Sequence, residues 1–266
     1  MSVVVFLGER FVDEEDAHVS LFDRGYLVGE GAFATMRAYR GRCFRAERHL
    51  AQLARAAEAF GLRVPAEALA RANEAAARAS VEDARVRVTV SDTAFSIVAE
   101  PLVAPSEGDY AGGVAVVTVE ARRVPPACFD GAMKSLSYAP SMLAQREARA
   151  RGAAEGAQLT LDGALACGAV SNLFVVRGDE LATPSLDSGC RPGVTREAIL
   201  ELAPHVGLRP VERRVAPDED IDEAFLTSSR IEVLPIATLD GRRLGGAARA
   251  HALRVAFREL VARELA

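Results

Sequence analysis

Gly131-Ala-Met-Lys-Ser-Leu-Ser-Tyr-Ala-Pro140 holds the one lysine of the chain, Lys134, among 32 Lys and Arg residues. Every other basic position is arginine, so the exception asks for a reason of its own. A guanidinium stays protonated and is a poor nucleophile. An amine sheds its proton when desolvated and can form a Schiff base with a carbonyl. Lysine usually sits on a solvated face, but Met133 and Leu136 flank this one and Tyr138 follows. That context marks Lys134 as a candidate Schiff-base lysine.

The rest of the composition is ordinary. A chain of 266 residues suits one large domain or two of moderate size, and half its residues are hydrophobic. The net charge is −5 with acids and arginines interleaved, which leaves no basic stripe for a nucleic acid. No apolar run approaches membrane-spanning length, and Met1-Ser-Val-Val-Val-Phe-Leu-Gly8 lacks a basic start and a cleavage site. Cys43, Cys128, Cys167 and Cys190 stand singly, without CxxC or His spacing fit for a metal. A reducing cytoplasm is the simplest compartment.

Outward from the lysine, the pattern predicts mixed α and β structure. Residues 32–39 alternate as a strand after Gly25, Gly29 and Gly31, and Leu50, Leu53, Ala57 and Phe60 share a helical face. A second, Ala-rich helix covers 65–80. Arg85-Val-Arg-Val-Thr-Val90 puts Arg85, Arg87 and Thr89 on one face and three valines on the other, with 95–99 as its hairpin partner. Residues 104–113 read as a linker rich in Pro, Gly and polar residues. The expected organisation is two α+β domains, a smaller one over 1–106 and a larger one over 107–266. The second carries strands at 114–119, 158–161, 173–177, 180–182 and 224–227, and helices at 141–150, near 194 and at the C-terminus.

Gly193-Val-Thr-Arg196 sets amides and a hydroxyl at a helix start, where free N–H groups and the helix dipole bind phosphate. A threonine after a glycine turn is also a plain helix start. Ser228 and Ser229, at a strand end, add hydroxyls, and Arg45 adds charge. With a lone lysine, these residues point to a phosphorylated aldehyde cofactor, pyridoxal phosphate.

Six stretches carry a resemblance to a known family. They are Asp23-Arg-Gly-Tyr-Leu-Val-Gly-Glu-Gly-Ala-Phe33, Phe44-Arg-Ala-Glu-Arg-His-Leu50, Lys134-Ser-Leu-Ser-Tyr138, Ser171-Asn-Leu-Phe174, Gly193-Val-Thr-Arg196 and Ser228 to Pro235. In this order and spacing the chain resembles the class IV aminotransferases, the fold-type-IV pyridoxal-phosphate enzymes. These include branched-chain and D-amino-acid aminotransferases and aminodeoxychorismate lyase. The resemblance implies that Lys134 carries the cofactor and shuttles the proton, and that Tyr138 hydrogen-bonds the phenolic oxygen. It implies that Arg45, Val194, Thr195 and Ser229 hold the phosphate. Phe33 then lines the substrate pocket, His49 is structural, and the enzyme is a homodimer.

Three departures stand against that pattern. The family's glutamate beside the pyridine nitrogen falls here on Cys167, with no acid within four residues on either side. A neutral thiol leaves the ring unprotonated and a weaker electron sink; a thiolate could replace the carboxylate, but burial raises a thiol's pKa unless a cation is already there. Ser91-Asp92-Thr93 stands where D-amino-acid aminotransferases and the lyase grip a carboxylate with arginine. Arg87 matches instead a branched-chain-type arginine near the α-carboxylate. Ala34 and Ser137 replace the usual Glu and Asn.

The leading reading is an aminotransferase acting between an amino acid and a 2-oxo acid. The alternatives are a lyase-type β-elimination and a degenerate homologue that binds the cofactor without transamination.

Overall fold

The computed structural model describes residues 3–266. They divide into two compact units. The first comprises residues up to Val103 together with Met133–Tyr138 and Glu264–Ala266; the second comprises Ala104–Ala132 and Ala139–Arg263.

In the first unit β1 (Val4–Leu7) and β2 (Arg10–Val12) precede the short helix α1 (Arg24–Val28). Then come β3 (Gly31–Tyr39), β4 (Arg42–Cys43), α2 (Ala46–Glu58), α3 (Ala68–Arg78), β5 (Asp83–Ser91) and β6 (Phe95–Pro101). The six strands form one antiparallel sheet in the order β2-β1-β6-β5-β3-β4. The alternation of β5 decides its faces. Val86, Val88 and Val90 register with Met36, Ala34 and Ala32 on β3, and with Ala99, Ile97 and Phe95 on β6. Leu53, Ala56 and Ala57 of α2, with Ala72, Ala75 and Ala76 of α3, complete that core. Alanine faces let both helices lie close to the sheet, and each valine buried there contributes about 1.5–3 kcal/mol. The opposite face carries Phe33 across from Thr89 and Thr35 across from Arg87.

The second unit runs α4 (Glu107–Gly112), β7 (Val114–Thr118), α5 (Ala139–Ala150), β8 (Glu155–Leu159) and β9 (Leu165–Gly168). There follow β10 (Asn172–Arg177), β11 (Glu180–Pro184), α6 (Val194–Leu202), β12 (Arg209–Arg213), β13 (Glu223–Ser228), β14 (Glu232–Leu239), β15 (Arg242–Arg243) and α7 (Ala248–Glu264). Its nine-stranded mixed sheet is ordered β12-β11-β10-β13-β14-β7-β8-β9, with β15 on β14. Central strands β10 and β13 are buried on both faces, and their Phe174 and Phe225 stack at 5.0 Å.

Two expectations differ from the structure. The expected linker holds α4, because Ser106 and Asp109 form a reciprocal capping box and Tyr110 is buried behind them. The lysine stretch, read with the second domain, has residues 133–138 in the first unit. The cause is backbone pairing. Phe33 N–H donates to the Lys134 carbonyl at 2.8 Å, and Leu136 N–H donates to the Gly31 carbonyl at 2.9 Å. Ala32 and Ser135 form an antiparallel bridge between them.

Candidate active site

The free edge of β3 explains where Lys134 goes. β4 covers only Ala38 and Tyr39, so the Gly31–Phe33 end is left to pair with residues 134–136. The glycines before β3 make the room. A Cβ on Gly25 would sit 2.8 Å from Leu136 Cδ1, one on Gly31 2.6 Å from that atom, and one on Gly29 2.3 Å from Ser137 Oγ. Gly29 also ends α1 at φ 75°, a left-handed conformation that suits glycine.

Asp23, at the head of α1, braces this arrangement. Its buried carboxylate accepts from Tyr26 N–H at 3.2 Å, Ser91 Oγ at 2.7 Å, Thr93 N–H at 3.2 Å and the Thr93 hydroxyl. Burial acts to raise its pKa, but the bonds from Thr93, Ser91 and Tyr26 outweigh burial and take it down to about 2. Asp92 in the same turn accepts from Arg24 N–H at 3.0 Å. The Ser91–Thr93 turn is therefore a brace for α1.

Phe33 gathers the predicted residues of the first unit. The Lys134 Nζ lies 5.0 Å from its ring centroid, the Arg87 guanidinium 3.8 Å, and the Tyr138 ring 5.2 Å in an edge-to-face contact. Arg87 Nε donates to Thr89 Oγ1 at 3.2 Å. Its neighbour Arg85 is paired with Glu100, whereas Arg87 has no carboxylate partner among the described residues. Burial and then the Arg85 charge pull the Arg87 pKa down, and Tyr138 opposes them. A half-buried cation of this kind is suited to an incoming carboxylate. His49 is buried, and burial with the Lys134 charge lowers its pKa to about 3, so it is a neutral imidazole. Arg45, the residue before α2, makes a two-pronged contact with Glu264 at 2.9 and 3.1 Å. A carboxylate is thus its partner in this structure.

In the second unit a different set converges where β10 begins, β13 ends and α6 begins. Asn172 is registered with Thr227, two residues before Ser229. Its Nδ2 donates to the Arg191 carbonyl at 2.8 Å, and its Oδ1 would lie 2.2 Å from a Cβ on Gly193. No side chain caps α6 at Gly193, and Val194 and Thr195 at its start are buried. The Thr227 hydroxyl nearby is buried without a partner. A helix start without a side-chain cap and the unpartnered Thr227 hydroxyl fit a phosphate dianion.

Cys167 lies in β9 and packs with Ala166 and Cys190. Burial pushes its thiol up to about 11, although Arg123 and Arg191 pull the other way. The burial expected to disfavour a thiolate at this position is present, and near neutral pH the sulfur is a neutral thiol. Glu155, the one carboxylate acting on Cys167, is on the other face of the hairpin. Cys167 is registered with Gln158, whereas Gly168 faces Ala157.

The sequence reading assigned no role to Asp23 or Glu155. Their partners Ser91, Thr93, Val170 and Ser171 come from other elements, so no local signal announces them.

The family model for amino-transferase class IV matches residues 31–239. The aminodeoxychorismate lyase of Bacillus subtilis is 31% identical over 263 residues, covering 89% of this chain and 87% of that protein. The D-alanine aminotransferase of Bacillus licheniformis is 27% identical over 267 residues, covering 92% and 91%. A crystal structure of the branched-chain aminotransferase from the archaeon Thermoproteus uzoniensis, with norvaline, superposes with a TM-score of 0.90 at 31% identity, covering 98% and 95%.

Proposed function

The chain belongs to the class IV aminotransferases, and from that premise we propose that it transfers an amino group between an amino acid and a 2-oxo acid with pyridoxal phosphate. The supporting observation is the seat of the sole lysine, beside the Phe33 ring that Arg87 and Tyr138 also contact. Bound pyridoxal phosphate supplies an electron sink for negative charge at the amino acid's α-carbon. Lys134 Nζ carries the cofactor and moves the α-proton. Tyr138 orients the ring through its phenolic oxygen. Arg87 receives the substrate carboxylate, and Phe33 lines the pocket. Val194, Thr195, Ser229 and Arg45 hold the phosphate, with Arg45 also retaining Glu264.

Cys167 is assigned to the ring-nitrogen side, where a neutral thiol with two arginines acting on it disfavours a protonated ring. The lyase reading is less favoured, since Ser91 and Thr93 are engaged by Asp23 and supply no cation. We assign a cytoplasmic homodimer. Its second copy covers the apolar run Leu21, Phe22, Tyr26 and Leu27, of which Phe22 is 83% exposed.

The test is direct. Reconstituted protein should absorb in the visible range, lose that band on borohydride reduction, and yield a modified peptide containing Lys134. Turnover with amino-donor and oxo-acid pairs should vanish in Lys134→Ala. A folded wild-type protein that takes up no pyridoxal phosphate overturns the proposal.

A further inference from the structure

Glu155 is a fully enclosed carboxyl for which the reaction described above has no use. It stands on β8, and two donors converge on one of its oxygens. Oε1 accepts from the Val170 N–H at 2.9 Å and from Ser171 Oγ at 2.6 Å. Those two residues make the turn between β9 and β10. The turn is closed down on the carboxyl: a Cβ on Gly168 would lie 2.2 Å from Ser171 Oγ and 2.3 Å from Glu155 Oε1.

The next residue, Asn172, carries that placement onward. Its amide group joins the Arg191 carbonyl on one side and abuts Gly193 on the other, and Gly193 leads directly into Val194 and Thr195. Arg230, which follows Ser229, is the cation acting on Glu155. One carboxyl thus holds the turn that leads to the helix-start residues, and the arginine beside the strand-end serine acts on it electrostatically.

We propose that Glu155 is the positioning residue of the phosphate cup, setting the Val170–Asn172 turn so that the Val194 and Thr195 donors converge on the cofactor's phosphate. The inference rests on the proposed phosphate site. Its logic is that of any preorganised site: donors aimed before the ligand arrives bind it more tightly than donors that must be ordered on arrival. Burial raises the Glu155 pKa, while Ser171, Val170 and Arg230 act to lower it. The role needs an acceptor oxygen and not a charge, so glutamine can perform it.

The experiment compares two ligands that differ only in the phosphate. Full-length apoprotein is dialysed to equilibrium against pyridoxal phosphate and against pyridoxal, in wild type, Glu155→Ala, Glu155→Gln and Ser171→Ala. Glu155→Ala should weaken pyridoxal phosphate about tenfold or more and pyridoxal by no more than about twofold, because only the phosphate donors are displaced. Glu155→Gln should stay near wild type, since its amide oxygen still accepts from both donors. Ser171→Ala, which removes one bond and no buried acid, should lower the preference about threefold; it decides the matter where Glu155→Ala does not fold. Equal weakening of both ligands in Glu155→Ala, or an unchanged preference in Ser171→Ala and Glu155→Ala, overturns the inference. A wild-type protein that holds pyridoxal as tightly as pyridoxal phosphate overturns the phosphate site itself, which is a separate result.

Discussion

Gly29→Ala tests whether the glycines before β3 exist to seat the lysine strand. Gly29 has φ 75°, and a Cβ added there would lie 2.3 Å from Ser137 Oγ and 3.1 Å from the Ser137 N and Cα atoms. The left-handed conformation costs an alanine about 1–2 kcal/mol. The hydroxyl can swing aside, but the Ser137 backbone must retreat by a few tenths of an ångström, and such overpacking typically costs about 1–3 kcal/mol. Together these predict a loss of about 3 kcal/mol in urea unfolding. Ser137 shares a short segment with Lys134, so the displacement reaches the amine. A misplacement approaching an ångström can lower the rate about a hundredfold. Single-turnover measurements of the first half-reaction read that effect apart from cofactor release. Adding Ser137→Gly removes the hydroxyl clash but not the backbone strain, so it should recover rate more than stability. A Gly29→Ala protein with wild-type rate and stability would refute the reasoning, as would a double variant no faster than Gly29→Ala.

Two further outcomes follow from the same structure. Asp23→Asn should lower stability by about 2 kcal/mol at neutral pH, the linkage value of a carboxyl lowered from 3.8 to about 2. Because the folded pKa is depressed, that contribution is full above the ordinary carboxyl pKa and fades as pH falls toward 2. Urea unfolding at pH 7, 4 and 3 should therefore show the two proteins converging, and a constant difference would contradict the brace. Cys167→Glu should speed the first half-reaction about tenfold, or about 1.4 kcal/mol, by pairing a protonated ring nitrogen, with Cys167→Ser as the neutral control. Equal rates in the three proteins would remove Cys167 from the mechanism.

The parts of the fold legible in the sequence are those whose cause is local. The strict alternation of Arg85 to Val90 needs only its own period, and β5 buries its valines as that period requires. The face of α2 is read in the same way. The short strands β2, β9 and β12 escape because three to five residues carry too little period to separate from a loop. α4 was hidden by its glycines and acids, although the Ser106–Asp109 spacing is a capping box. The pairing of residues 134–136 with β3 joins segments about a hundred positions apart, and no local pattern encodes such a partner.

The site divides along the same line, and the division has a chemical reason. Lys134 stood out because its chemistry cannot be delegated: no other side chain in an arginine-rich chain provides an amine that can lose its proton. Groups that act by position carry no such mark. Asp23 and Glu155 are ordinary acids in the sequence, and each becomes informative only when two or more donors from other elements are seen to meet on it. Cys167 needed both kinds of reading. Its place was noticed through the missing acid, but whether it was thiol or thiolate depended on burial competing with Arg123 and Arg191. Burial wins, because two arginines acting at a distance do not repay the desolvation of a sulfur anion. On the proposed assignment of Cys167, a site that lacks the acid and keeps the thiol neutral would give the ring nitrogen nothing to stabilise its proton, and more of the work of α-proton removal would fall to the placement of Lys134, whose segment packs against Gly25, Gly29 and Gly31.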